Sequence, residues 1–164
     1  MIRDADKHEL SELAEIYRAA WFFAFSKHFP PENLARVTPG DFEDRWHGFF
    51  AEEHIHSFVY EHEKVPVGFV TCSVKTDKPA EILSIMVSPT SIRAGIGSRL
   101  LEKALSYLHE NKCGLAELWV VKENSNARKF YEHFDFRPTD DKRFIQRYGI
   151  ELCQLRYERR LTPR

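Results

Sequence analysis

Apolar positions along this chain repeat with two periods. Leu10, Leu13, Ala14, Tyr17, Ala20, Trp21 and Ala24 recur at steps of three and four, which predicts an amphipathic helix, with Asp6 and Glu9 ahead of it spaced as a capping box. Phe22, Phe23 and Phe25 fall partly outside that stripe. Either the helix is buried on two sides, or these rings line a substrate cleft or a dimer contact. The run His28-Phe29-Pro30-Pro31 ends the helix, and a second is expected from Asp41 with Phe42, Trp46, Phe49 and Phe50 inward. The pattern then shortens to strands over 57–61 and 67–74, joined by a tight turn at His62-Glu63-Lys64; Pro66 is tolerable at the start of the second.

Residues 80–108 form the stretch around which the rest is organised. An apolar run of strand length, Ala80-Glu81-Ile82-Leu83-Ser84-Ile85-Met86-Val87, stops at Pro89. A loop ending in Gly95-Ile96-Gly97 then opens a helix with Leu100, Leu101, Ala104, Leu105 and Leu108 on one face. A strand feeding a glycine turn into a helix points several free amides one way, at the positive end of the helix dipole, which suits a phosphate or pyrophosphate. A dinucleotide fingerprint is excluded because its third small residue is here Leu100, and no Gly-Lys-Ser/Thr string is present for a P-loop.

A strand over 115–121, a short helix over 125–134 and a closing antiparallel pair around Gly149 (144–148 with 150–157) complete the chain. Residues 158–164 read as a polar, frayed tail. The order β-α-α-β-β-β-α-β-α-β-β makes this a single-domain α/β chain around one mixed sheet. With 164 residues, one core suffices and no linker or repeat divides it.

Composition narrows the partners. A net charge of −1 gives no polyelectrolyte signal, so nucleic acid is not expected. Cys72, Cys113 and Cys153 are scattered and odd in number, pointing to a reducing compartment without a disulfide framework. The apolar run over 19–25 is far too short for a bilayer, so a cytoplasmic protein without membrane contact is expected. His54-x-His56 would put two rings on one strand face, but without a third ligand nearby no metal is expected.

The segment 118–136 contains Asn124-Ser125-Asn126-Ala127-Arg128-Lys129-Phe130-Tyr131-Glu132-His133-Phe134-Asp135-Phe136. It resembles the Asn-x-x-Ala-x-x-Phe-Tyr-x-x-x-Gly-Phe block of the GNAT N-acetyltransferases. Upstream, Ile92-Arg93-Ala94-Gly95-Ile96-Gly97 stands where that family carries its acetyl-CoA loop, Gln/Arg-x-x-Gly-x-Gly/Ala. Two departures are visible: Ile92 replaces the Gln or Arg, leaving Arg93 and the backbone to grip the pyrophosphate, and Asp135 replaces a Gly at a turn. Asp tolerates a left-handed turn better than most residues.

The resemblance implies an acetyl-CoA-dependent acyltransferase that moves acetyl to an amine by direct attack in a ternary complex. Residues 1–56 would then be acceptor-side helices and 57–157 the sheet and acetyl-CoA core. It places the pyrophosphate on the amides of Arg93, Ala94, Gly95, Ile96, Gly97 and Ser98. The pantetheine would lie along Ile85, Met86 and Val87, with Asn124 and Ala127 at the cofactor arm. Tyr131 would serve as proton donor to the departing sulfur. The same residues also admit plainer roles: Asn124 as a helix cap, Tyr131 as a core tyrosine. Glu81, at the head of the strand, is the candidate base, against a merely solvated carboxylate; His28 is a second candidate. Trp21, Phe25 and His28 resemble the acceptor wall of small-molecule members. An aromatic wall with a few carboxylates would suit a small amine such as a polyamine, amino acid or aminated antibiotic. A peptide or protein amine, a catalytically silent CoA-binding module and a homodimer remain open.

Overall fold

The computed structural model describes residues 1–161 of the chain. Seven strands form one sheet: β1 (Ile2–Asp4), β2 (Ile55–His62), β3 (Val65–Ser73), β4 (Ala80–Val87), β5 (Leu115–Val121), β6 (Arg137–Arg147) and β7 (Ile150–Arg160). The helices are α1 (Leu10–Phe25), α2 (Pro31–Leu34), α3 (Pro39–Ala51), α4 (Ile96–Glu110) and α5 (Ser125–His133). Strand order is β1-β2-β3-β4-β5-β7-β6, and every neighbouring pair is antiparallel except β4–β5. This is the α/β mixed sheet expected from the sequence. Among the described residues, no helix is long and apolar enough to cross a membrane.

Two apolar layers sandwich the sheet. On one face, α4 buries Ile96, Leu100, Leu101, Ala104, Leu105 and Leu108 against Val70, Cys72, Ile82, Leu118 and Val120. Each fully buried Leu of that stripe contributes about 1.5–3 kcal/mol. A Cβ on Gly68 would come within 3.0 Å of the Met86 carbonyl and 3.2 Å of Leu100, so bare backbone there lets α4 ride close to β3. On the other face, α1 and α3 bury Leu13, Tyr17, Trp21, Phe42 and Trp46 against Val59 and Phe69.

Two features of β4 position the site. Cys72 pairs with Ile82 but Thr71 pairs with Ser84, so Leu83 is an extra residue, a β-bulge. The parallel ladder to β5 holds only at Ala80–Ala116 and Glu81–Glu117. Beyond that point the two strands part.

Several boundaries correct the sequence reading. The second long helix begins at Pro39, not Asp41; Thr38 is its N-cap, and Asp41 closes the capping box from the third helical position. The 3-10 turn at Lys7–Glu9 precedes α1, and Asp6 and Glu9 form the expected capping box there. The predicted tail is strand as far as Arg160, because β7 pairs with β5 through Arg160 opposite Leu115; its last residues, 162–164, lie outside the described residues. β6 likewise starts at Arg137, with a register break between Pro138 and Lys142. α2 was not anticipated. It is a single turn with Pro at its start, and the side chain of its Asn33 donates to the Tyr148 carbonyl at 2.7 Å.

Asp135 sits at φ +62° just past α5. Its amide donates to the Glu132 carbonyl, and that of Phe136 donates to Tyr131, closing a Schellman ending with Asp where Gly is usual. Asp135→Gly is expected to change stability by less than about 1 kcal/mol, while Asp135→Val, with a branched Cβ in the left-handed region, costs about 1–2 kcal/mol. Urea unfolding of the two variants measures the contrast; equal loss in both would show that the turn does not depend on its conformation.

Candidate active site: a cleft between parted strands

Where β4 and β5 separate, a cleft of about 570 Å³ opens between residues 83–87 of β4 and 119–121 of β5. It runs through the sheet. One end is walled by Ile92, Gly97, Asn124, Ala127, Phe130 and Tyr131, from the α4–α5 side. The other end is walled by Tyr17, Trp21, Phe25 and Arg45 from α1 and α3, and by Ile145, Arg147, Leu152 and Gln154 from the β6–β7 hairpin. A larger hollow, about 680 Å³, lies between residues 74–80 and 111–115 at the far end of β4 and β5. Its walls are loops and the first residues of β4 and β5, and they carry none of the predicted residues, so size alone does not mark the site.

The α4 end of the cleft is shaped by local conformation. Arg93 (φ +70°) and Gly95 (φ +72°) both take left-handed backbone, and Gly95 is the N-cap of α4. Among the described residues, no backbone carbonyl accepts from the amides of Ile92, Arg93, Ala94 or Gly95. The amides of Ile96, Gly97 and Ser98 belong to the first helical turn, where no partner within the helix exists. The first-turn amides stand at the positive end of the α4 dipole. Ile92, 39% exposed, offers the cleft an apolar side chain instead of a polar one.

The side chain of Asn124 accepts from the Ala127 amide at 3.2 Å, so it does cap α5 while lining the cleft. Tyr131 is 9% exposed, and burial pushes its phenol well above the ordinary value, which keeps it protonated. Its hydroxyl has no hydrogen-bond partner in the protein among the described residues. Ser84 is the clearest irregularity: it is 7% exposed, it lines the cleft, and its Oγ is buried without a partner. A native structure leaves few such groups unsatisfied.

The other predicted residues sit as follows. Trp21 and Phe25 line the α1–α3 end of the cleft, as does Phe23, which is 64% exposed, whereas Phe22 packs into the α1–α3 layer. His28 does not reach the cleft; its ring lies 6.5 Å from that of Phe25. Glu81 lies two residues before the cleft wall on β4, opposite Glu117. Burial first, then the Glu117 charge, raise its carboxyl above 4.5 against the opposing pull of Arg143 and Lys75. His56 meets Asp4 at 3.0 Å and stacks on Tyr107, and His54 lies 3.6 Å from Glu52.

One expectation is overturned: among the described residues the walls carry no Asp, Glu or His, and the charges present are Lys27, Arg45 and Arg147. Sequence reading missed both arginines. Arg45 could have been noticed, since it shares the helical face of Phe42, Trp46 and Phe49 and so sits charged on an apolar stripe. Arg147 gives no such signal, because its place follows from how the hairpin folds back.

Comparison with known proteins agrees with this geometry. The Acetyltransferase (GNAT) family model matches residues 10–136. An uncharacterized N-acetyltransferase of Archaeoglobus fulgidus is 31% identical over 142 residues, covering 83% of this chain and 92% of that protein. An uncharacterized N-acetyltransferase of Methanocaldococcus jannaschii is 30% identical over 82% of this chain and 59% of its own length. In structure, the PaiA N-acetyltransferase of Thermoplasma acidophilum, crystallised with coenzyme A, superposes with a TM-score of 0.81 over 98% of both chains at 18% identity. The chain belongs to the acetyltransferase (GNAT) family and is an acyltransferase.

Proposed function

We propose that this protein transfers the acetyl group of acetyl-CoA to the amine of a small molecule, by direct attack in a ternary complex. The parting of β4 and β5 carries the reading: it joins the unsatisfied amides of α4 to a chamber on the opposite face of the sheet. Acetyl-CoA, a substrate here, would place its pyrophosphate on the amides of residues 93–98. Its pantetheine would take the place of the missing β5 ladder along residues 85–87, in the manner of an added strand. A β4 amide would then face the thioester oxygen, where a well-placed donor stabilises the developing oxyanion.

The amine nitrogen attacks the thioester carbon, the C–S bond breaks, and the charge moves to sulfur. Tyr131 donates to that sulfur. Because burial raises its phenol, the group serves as a hydrogen-bond donor to the developing thiolate rather than as an acid that loses its proton outright. The amine must also shed a proton, since an alkyl amine near pKa 10 is mostly charged at neutral pH. With no Asp, Glu or His on the cleft wall among the described residues, Glu81 would take that proton through water, and its raised pKa makes it a stronger base than an ordinary carboxylate. His28 stands off the wall and is given no step.

Tyr131→Phe is expected to lower kcat about 100-fold while changing the acetyl-CoA dissociation constant little. Steady-state kinetics with calorimetric binding separates the two, and unchanged turnover would remove Tyr131 from the mechanism. For Glu81→Gln, kcat/KM at neutral pH should fall and the acidic limb of the profile should move toward the acceptor's own pKa; an unaltered profile would sink the base role.

The same substitution has a stability signature. A carboxyl whose folded pKa is raised contributes stability below its ordinary pKa of 4.5, and that contribution disappears as pH rises through the raised value. Glu81→Gln should therefore be more stable than the unsubstituted protein at neutral pH and equal to it at low pH. Thermal unfolding across pH reads this directly, and a variant less stable at pH 7 would contradict it.

A further inference from the structure

The acceptor end of the cleft is basic, and among the described residues its cations form no ion pairs. Arg45, half-buried on α3, donates to the Tyr17 hydroxyl at 2.9 Å, with its guanidinium 5.5 Å from that ring's centre. Arg147, half-buried at the end of β6, donates only to the neighbouring Gln146 carbonyl, at 3.1 Å. Neither forms an ion pair among the described residues. The one carboxylate in this group, Asp41, accepts instead from the Thr38 amide at 2.8 Å and the Tyr148 hydroxyl at 3.1 Å. Burial, followed by repulsion from Arg45, lowers the Arg147 guanidinium. Two half-buried guanidiniums on one cleft wall, with no ion-paired carboxylate among the described residues, are costly unless a bound anion relieves them.

That anion is not the pyrophosphate. Arg45 and the β6–β7 turn belong to the α1–α3 layer, through Tyr17, Trp21 and Tyr148, whereas the amides of α4 lie on the other face. The turn carrying Arg147 is itself held in place: Asn33 grips the Tyr148 carbonyl, and the Tyr148 ring meets Trp21 edge-on at 5.6 Å. The orphaned Ser84 hydroxyl, on the cleft wall, is a second and independent sign of a polar occupant.

We infer that the acceptor is a small amine carrying its own oxyanion, a carboxylate or phosphonate, bound by Arg45 and Arg147. A guanidinium fork matches either group through paired N–H donors, and binding at that end would aim the amine inward toward the thioester. Polyamines, with only positive charge, are rejected by the same wall. This inference rests on the acetyl-transfer reading of the same cleft.

The test measures thiol release from acetyl-CoA by the full chain with free amino acids, their carboxamides, matching aminophosphonates, spermidine and short C-terminally blocked peptides. Free amino acids or aminophosphonates should exceed carboxamides and spermidine in kcat/KM by at least about tenfold, the size of one charge-assisted hydrogen bond. The better of the two anions identifies the head group. Arg147→Gln and Arg45→Gln should each erase the preference, mainly through a raised KM for the anionic acceptor. Equal or better rates with spermidine, carboxamides or peptides, or a preference that survives both substitutions, would overturn the inference while leaving acetyl transfer standing. Saturable acetyl-CoA binding with no transfer to any amine would overturn the acetyl-transfer reading and this inference with it.

Discussion

The structure turns on the early loss of pairing between β4 and β5. A parallel ladder that stops after two residue pairs leaves a row of backbone amides and carbonyls on β4 without a neighbour, in a place where the sheet should be most continuous. The bulge at Leu83 accompanies the break: one inserted residue bends the strand and increases its twist. It also reverses which face successive side chains meet. Ala80 and Ile82 pack under α4, and after the bulge it is Ile85 and Val87 that do so, with Met86 turned to the α1–α3 layer. A single extra residue thus both opens the gap and keeps each side of it lined by apolar groups.

Everything around that gap is held by packing that does not depend on a ligand. On the acceptor side, Trp21 meets Phe22, Phe25, Phe29, Phe42 and Tyr148 at ring-centre distances of 5.3–6.0 Å, which ties α1, the α1–α2 link, α3 and the β6–β7 turn into one unit. On the cofactor side, Phe130 and Tyr131 of α5 join the α4 core. Two rigid walls with a cleft between them suit a reaction whose rate depends on holding two reactants in line. The polar groups divide between the walls as well, with the first-turn amides of α4 on one and the Arg45 and Arg147 guanidiniums on the other.

Most of the fold was legible because its signals are local. The three-and-four spacing of α1 and α4, the Asp6–Glu9 capping box and the Gly95 turn each depend on residues close in sequence. The strand, glycine turn and helix proposed to hold the pyrophosphate were legible as elements for the same reason, since they form one continuous stretch. The acceptor end was not, because it joins residues from α1, α3, β4 and the β6–β7 hairpin. Arg147 and Arg45 are about a hundred positions apart in the chain and come to one cleft only through the docking of the Tyr148 turn. The expected carboxylates on that wall were a guess from the class of acceptor, and the fold supplied cations. The length of β7 was underestimated because its last residues are charged: Arg156 pairs with Glu117 of β5 across the strands at 2.6 Å and with Glu158 along β7 at 3.3 Å, so polarity there marks an ion-paired sheet surface rather than a frayed end.

The central claim is that the unpaired edge of β4 and the first turn of α4 are one binding surface for acetyl-CoA. Amide hydrogen exchange, followed with and without coenzyme A, tests it most directly. Residues 83–87 and 93–98 should become protected together on addition of coenzyme A, with little change in β2 or β6. Protection confined to residues 74–80 and 111–115, or none at residues 83–87, would contradict the account.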